Sequence, residues 1–546
     1  MLPHCVNPSV FDIPHLRDDI TRYLLTNDLA HCILVSKEWS IWFTPALWKV
    51  VDLRKGIAET EHWQSTLKNH RGHIESIITR NKYVMLDTVS LFPFPNLRSL
   101  DYYTTMWISL EESRILDILS ASPSLQRLDI SLEEFEPGSA EKFNHALKSH
   151  PNLRNLGLTF SKIWTPLFVP QLLKACQQFE LLHLRLYSRL EVELTEEEED
   201  GIYLKVKTEV EGIEDMRVRD LLIQFHTPKQ EQSILVPLLN HCPLLESFGI
   251  LEIHYQGTLQ LLSGVFQDNK CPRLRRLRLP STGQYGETTD PILDLFRAIK
   301  HGCGTTNDGI GGERTEESGG IEFFGGYSLF TLTQPRAYVL AECFANSLTA
   351  LDLSYQCEIQ FAPFVALVSG LPRLLSLNIT VSIVFQLSSD GDSDIKAALD
   401  LPWSCLQLSD FSLRLQSPIQ NGDIDGMDGM ESVQALSDQC TVFIFEQMGR
   451  MKSMKEWKFR TNRQDILMLD NGYLDRLSGW NQLKGLDIRR TGLGLDSKEA
   501  EWMILNWPKL IHVEVNHQML SLRPKKDILA AFKNKLSSCR PWMLID

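Results

Sequence analysis

No Cys-x-x-Cys pair occurs anywhere in the chain, which removes the usual spacing of structural zinc sites and dithiol redox centres. Positive charge is also short: 55 Lys and Arg face 69 Asp and Glu, a formal net charge of −14. A surface that holds nucleic-acid phosphates needs the opposite balance, so no nucleic-acid partner is expected. No uninterrupted apolar run approaches the ~20 residues of a membrane-spanning helix, and no membrane partner is expected either. The opening "MLPHCVNPSVFDIPHLRDD" has no basic stretch ahead of an apolar one, and prolines and charges break it, so it does not read as a secretory signal. With that start and an odd number of cysteines, 11, the thiols are expected to be mostly reduced, in the cytoplasm and/or the nucleus. Nucleophile elbow, H-E-x-x-H and Walker patterns are missing as well. No catalytic residue, metal site or cofactor is therefore expected. The scattered histidines, His150 and His241 among them, read as surface or cap residues.

What the chain has instead is a recurring phrase. "FPNLRSLDY", "SPSLQRLDI", "HPNLRNLGL", "CPLLESFGI", "CPRLRRLRL", "ANSLTALDL", "LPRLLSLNI", "WNQLKGLDI" and "WPKLIHVEV" each place apolar residues in an L-x-x-L-x-L order. The first apolar residue falls at Leu97, Leu125 and Leu153, 28 residues apart, and later neighbours are spaced by 26 to 29. This phrase at a period of roughly 20–29 residues is the signature of leucine-rich repeats. The alternating L-x-L half suits a strand with one buried face. Helical spacing lies between the strands: Ile115, Leu116 and Leu119 share a face behind a Ser109–Glu112 capping box, as do Phe143, Ala146 and Leu147. Such a unit cannot bury its apolar face alone, so units must stack. The expected fold is α/β: a curved leucine-rich-repeat solenoid of about a dozen repeats, with a parallel inner sheet and outer helices.

The boundaries expected from these patterns are a helical module over 8–53, a linker with the first repeat over 54–85, the solenoid over 86–520 and a C-terminal cap over 521–546. Four insertions near 190–215, 300–325, 386–396 and 417–432 are acidic or glycine-rich and read as mobile surface loops. Asp423, Asp425 and Asp428 have the oxygen spacing of a calcium loop but lack its glutamate, so a linker is favoured there.

The module before the repeats contains "LAHCILVSKEWSIWFTPALW", three tryptophans in a short run. Pro14 opens a helix in which Ile20 and Leu24 lie four apart; Asn27 and Asp28 interrupt it and can cap a second, in which Leu29, Cys32 and Ile33 share a side. A third run through Trp39 and Trp42 is ended by Pro45. So small a unit needs large aromatics for burial, and Trp39, Trp42 and Trp48 are read as packing. A cationic-ligand cage would need an open pocket and a membrane anchor a basic face, and neither pattern is present.

Ile13-Pro14, Leu16, Ile20, Leu24, "NDL", "LVSKEW" and "LW" follow one another in the order of an F-box. The segment over about residues 10–50 resembles that family, with Ile13 in place of its usual leucine and His15 where an acid is common. An F-box ahead of leucine-rich repeats is similar to the layout of fungal F-box proteins. The resemblance implies a non-catalytic substrate receptor of a ubiquitin ligase, docked on a Skp-family adaptor and through it on a cullin. It implies a monomer within that hetero-complex and an unknown protein substrate on the repeats. Pro14, Leu16, Ile20, Leu24, Leu29, Cys32 and Val35 would form or support the docking face, and Trp39, Leu47 and Trp48 the module's core. Core packing is the competing role for every one of these residues. Substrate contact would fall on polar strand positions such as Tyr103, Arg127, Asp129, Arg276 and Arg278, the two last arginines suiting an acidic or phosphorylated segment. A leucine-rich-repeat scaffold that acts without ligase assembly is the alternative.

Overall fold

The computed structural model describes residues 13–53, 61–80, 93–103, 112–132, 139–160, 168–186, 196–225, 227–254, 257–280, 290–302, 320–326, 332–382, 391–416, 427–461, 467, 469–488, 497–514, 533–538 and 544–545. The chain divides into two compact units, residues 1–242 and 243–546.

The first unit opens with three helices, α1 (Pro14–Tyr23), α2 (Thr26–Cys32) and α3 (Lys37–Trp48). Strands β1 (Val50–Asp52), β2 (Ser76–Arg80), β3 (Ser99–Tyr103), β4 (Arg127–Leu132), β5 (Asn155–Phe160), β6 (Leu181–Leu186) and β7 (Asp220–Gln224) follow. Each pairs in parallel with the next, and the apolar positions stay in one row: Val51, Ile77, Leu100, Leu128, Leu156, Leu182 and Leu221. All seven are buried. The alternation read in the sequence is the cause, because a slip of one residue would turn every leucine to the other face. At each strand entry one carbonyl accepts two N–H groups from the next repeat. Arg98 O, for example, takes Gln126 N at 2.8 Å and Arg127 N at 2.9 Å. The chain therefore joins the ladder at Val50, inside the segment assigned to the helical module.

Between strands run α4 (Glu61–His70), α5 (Glu112–Ala121), α6 (Ser139–Lys148), α7 (Phe168–Ala175) and α8 (Glu196–Glu211). Neighbours from α5 to α8 pack on one another and form the second layer. The acidic stretch expected as a loop near 190–215 is largely this last helix. Tyr203, Val206 and Val210 recur at helical spacing and are 4%, 0% and 0% exposed, which is apolar content enough to seat the helix in the place a repeat helix takes. Of the surface or cap roles read for His150 the cap is the one it takes: it is only 7% exposed, and its Nδ1 lies 2.7 Å from the Ala146 carbonyl oxygen at the foot of α6.

The second unit repeats the scheme with β8 (Ser247–Ile250), β9 (Arg276–Leu279), β10 (Phe323–Gly326), β11 (Ala350–Gln360), β12 (Ser376–Ser382), β13 (Asp410–Gln416), β14 (Glu456–Thr461), β15 (Gly485–Asp487), β16 (His512–Glu514) and β17 (Leu544–Ile545). Its inner row runs Phe248, Leu277, Phe324, Leu351, Leu377, Phe411, Trp457, Leu486, Val513 and Ile545, again strand to parallel strand. The helices include α9 (Thr258–Gln267), α10 (Pro291–Gly302), α11 (Gln334–Phe344), α12 (Phe361–Gly370), α13 (Gly391–Leu399), α14 (Met427–Gly449) and α15 (Ser497–Asn506). The insertions read near 386–396 and 417–432 end in α13 and α14, which begin at Gly391 and Met427; residues 383–390 and 417–426, with Asp423 and Asp425, lie outside the described residues. Residues 303–319 of the glycine-rich insertion do so too. The fold class is the expected one, a leucine-rich-repeat type of α/β solenoid.

Candidate functional site

The three-helix module is set by local chemistry. Pro14 occupies the first helical turn of α1, where its missing N–H is no loss. The N–H of Leu25 donates to the Asp28 carboxylate at 3.1 Å and starts α2. Ser36 Oγ accepts the Trp39 N–H at 3.1 Å and starts α3. Pro45 does not end this last helix, which continues to Trp48. Pro45 and Ile41, whose carbonyl it cannot pair, are both exposed, so water can take that acceptor.

Leu29 and Phe43 are the buried centre, 6% and 1% exposed. Trp39 lies against Phe43 with ring centroids 5.3 Å apart, and Trp48 stacks on His70 at 4.4 Å and 8°. Burial, and then His73, hold the His70 imidazole below its usual range. Trp39, Leu47 and Trp48 are half-buried around that centre. Among the proposed docking residues, Leu16 and Val35 are exposed, Ile20, Leu24 and Cys32 half-buried, and Leu29 buried; the side chain of Pro14 lies outside the described residues. Leu29 can therefore support a docking face only from beneath.

The structure adds residues that the sequence reading passed over. Leu25 is 72% exposed and Leu34 80%, at the two ends of α2, beside Val35 at 63%. Seven of the fifteen exposed large apolar side chains among the described residues lie between Leu16 and Val50. Adjacent apolar residues in "LL" and "ILV" were the available signal. A helix or turn points such neighbours in different directions, so one of them must face out. A cleft of about 600 Å³ lies between α1, α3 and the turn after α4, lined by Arg17, Arg22, Trp42, Lys49, His73 and Glu75 among others. Lys49 and Arg98 both reach Glu75, at 3.4 and 3.6 Å.

On the polar face of the strands, Arg127 Nε is 3.1 Å from Asp101 Oδ1, so this arginine is spent within the fold. Burial chiefly, with Asp129 adding, raises the Asp101 carboxyl above its ordinary value despite Arg127. Asp129 leans over Gly157, where a Cβ would stand 2.7 Å from its Cγ. The backbone of Tyr103 belongs to β3, and its side chain lies outside the described residues. Arg276 and Arg278 are both exposed on β9.

Among the described residues no three His, Cys, Asp or Glu converge as metal ligands, and no helix is long and apolar enough to cross a membrane. The fold defines a leucine-rich-repeat-type chain headed by a three-helix module with an uncovered apolar edge. No protein-family model matches it, and no curated protein does. The chain is similar to one in the crystal structure of the Rad7 and Elc1 complex in yeast, 12% identical over 94% of each chain with a TM-score of 0.36.

Proposed function

We propose that the chain is a non-catalytic substrate-recognition adaptor of a Skp-cullin-F-box ubiquitin ligase in the cytoplasm and/or nucleus. The observation that carries this reading is the uncovered apolar surface of the module: Leu25, Leu34 and Val35 stand in solvent while Leu29 and Phe43 are buried. Covering an exposed leucine or valine is worth about 1.5–3 kcal/mol, so two leucines and a valine at the ends of α2 reward a partner and penalise its absence. The module's resemblance to an F-box names that partner as a Skp-family adaptor, and through it a cullin. The repeats would hold the protein substrate, and the rate gain would be proximity to a conjugating enzyme carried by other subunits.

Co-purification with the Skp adaptor tests the reading. Leu34→Asp with Val35→Asp should abolish capture while the circular dichroism of the chain stays unchanged, because both residues are exposed. Ile20→Asp with Leu24→Asp should abolish it too. Failure of the wild-type chain to bind the adaptor, under conditions where a control F-box binds, would sink the proposal and leave a scaffold that works without ligase assembly.

A further inference from the structure

Exposed arginines in this chain are mostly paired across strands or turns: Arg98 with Glu75, Arg127 with Asp101, Arg154 with Glu180, Arg275 with Glu322, Arg460 with Asp487. Like Arg71, Arg217, Arg273 and Arg414, Arg276 and Arg278 belong to the unpaired minority among the described residues. Both are exposed, and neither has an ion-pair or hydrogen-bond partner among the described residues. Arg278 is nevertheless held in place, with its guanidinium carbon 5.1 Å from the centroid of the Phe323 ring on the next strand.

That stacking depends on a glycine. Gly325 pairs in register with Arg278. A Cβ there would lie 3.0 Å from Cε1 of Phe323 and 3.3 Å from Cγ of Arg278. A side chain there would crowd the ring and the arginine stem where they lie over β10. On the other flank the register partner of Arg278 is Gly249, so the row has no side chain on either side of it. The first acid farther along the row, Asp352, accepts from Ser354 Oγ at 2.8 Å. Asp352 keeps its charge two strands away, so Arg278 is an oriented cation with no direct ion-pair partner among the described residues.

We infer that Arg276 and Arg278, with Phe323 as platform, receive an extended acidic segment of the substrate carrying carboxylates at alternate positions. Side chains two apart on a strand are about 6.6 Å apart on one face, and an extended peptide repeats at the same interval. Each guanidinium then takes one carboxylate in its planar fork. Phe323 is the register partner of Arg276, so its ring leans Arg278 toward that rung, and a single phosphoryl group shared by both guanidinia is the rival occupant that the test separates. The net charge of −14 opposes acidic peptides at long range, so capture here is local rather than a general affinity for anions. The inference rests on the repeats being the substrate-holding part of the chain.

Fluorescence anisotropy on the full chain tests it, with a labelled peptide bearing glutamate at alternate positions, its glutamine counterpart, and a neutral peptide bearing one phosphoserine. The glutamate peptide should bind at least about tenfold tighter than the glutamine one, the margin expected of charge-assisted bonds. Arg276→Ala with Arg278→Ala should remove that margin, and both sites are exposed, so the fold is not at stake. Phe323→Leu should weaken binding roughly threefold with both arginines present, because the platform is lost. Equal binding of glutamate and glutamine peptides, no effect of the double variant, or binding of the phosphoserine peptide alone would each overturn the inference. Adaptor capture is a separate measurement: peptide binding without capture discards the ligase reading and keeps this site, and capture without peptide binding does the reverse.

Discussion

Nε2 of His150 lies 2.8 Å from the carbonyl oxygen of Leu119, one repeat earlier, while its Nδ1 lies 2.7 Å from that of Ala146. Trp480 and Trp507 make the same kind of link, their Nε1 groups donating to Met448 O at 2.9 Å and Leu477 O at 3.1 Å. All three residues stand three places before the first apolar residue of a repeat phrase. Phe94, Ser122, Cys176, Cys242 and Cys271 hold that place in other repeats and are fully buried. The position is an internal column, and a side chain with a donor there adds a second bond to carbonyls that already accept a turn N–H at the end of the preceding helix.

His150→Phe keeps the bulk and removes both links. Leu119 O keeps the Ser122 N–H and Ala146 O keeps the Ser149 hydroxyl, so the loss is that of a supplementary bond, about 1 kcal/mol. Urea unfolding should show a lower midpoint, with Trp480→Phe losing about 1 kcal/mol for its single bond. No change in either variant would mean that the column acts by volume alone.

Gly302, the last residue of α10, faces the backbone of the neighbouring helix α9. A Cβ there would run into the carbonyl of Phe266, which cannot turn aside as a side chain does. Gly302→Ala should therefore cost about 2–3 kcal/mol. Gly157→Ala meets only the movable Asp129 carboxylate and should cost clearly less. Thermal unfolding of the two variants side by side makes the comparison.

The raised carboxyl of Asp101 gives an unusual pH dependence. Its folded-state value lies above the ordinary 3.8, so the folded chain binds the proton more tightly than the unfolded one. Its contribution is most favourable below that ordinary value and is lost as pH rises through the raised one. Relative to Asp101→Asn, wild type should gain stability on acidification across that window. A stability difference that does not vary with pH there would contradict the assignment.

Thiol chemistry separates core from docking edge. Burial pushes Cys242, Cys405 and Cys440 up to about 12 and raises Cys176 as well. In the native chain these should resist maleimide at mildly alkaline pH, with half-buried Cys32 on α2 reacting at least about tenfold faster. Bound Skp adaptor should slow labelling of Cys32 without altering the others, read by peptide mass mapping. Unchanged Cys32 labelling in a formed complex would move the docking face off α2.

The strand ladder was legible because burial on one face forces period two and stacking forces the near-constant spacing of Leu97, Leu125 and Leu153. Strands such as Val50–Asp52 and Phe323–Gly326 were not, since "VVD" and "FFGG" lack the phrase and become strands only through their neighbours. The helix from Glu196 to Glu211 hid behind its run of acids, although Tyr203, Val206 and Val210 carried the period. At the module, residue type could not divide docking from packing. Leu29 and Leu34 are the same amino acid five residues apart, and only the fold buries one and exposes the other. The Phe323 platform was invisible because Arg278 and Gly325 meet only through strand register.

Register holds within each unit, save for a bulge in β11 between Leu353 and Glu358, so a partner lying across the strands touches one residue from each of several repeats. A partner lying along a strand meets alternate residues of a single repeat. A point substitution in the chain thus changes one letter of what is recognised, while duplicating a whole repeat shifts the remaining letters by one strand spacing. Selectivity can drift residue by residue on such a surface, or be rewritten by copying a unit, without rebuilding the core that supports it.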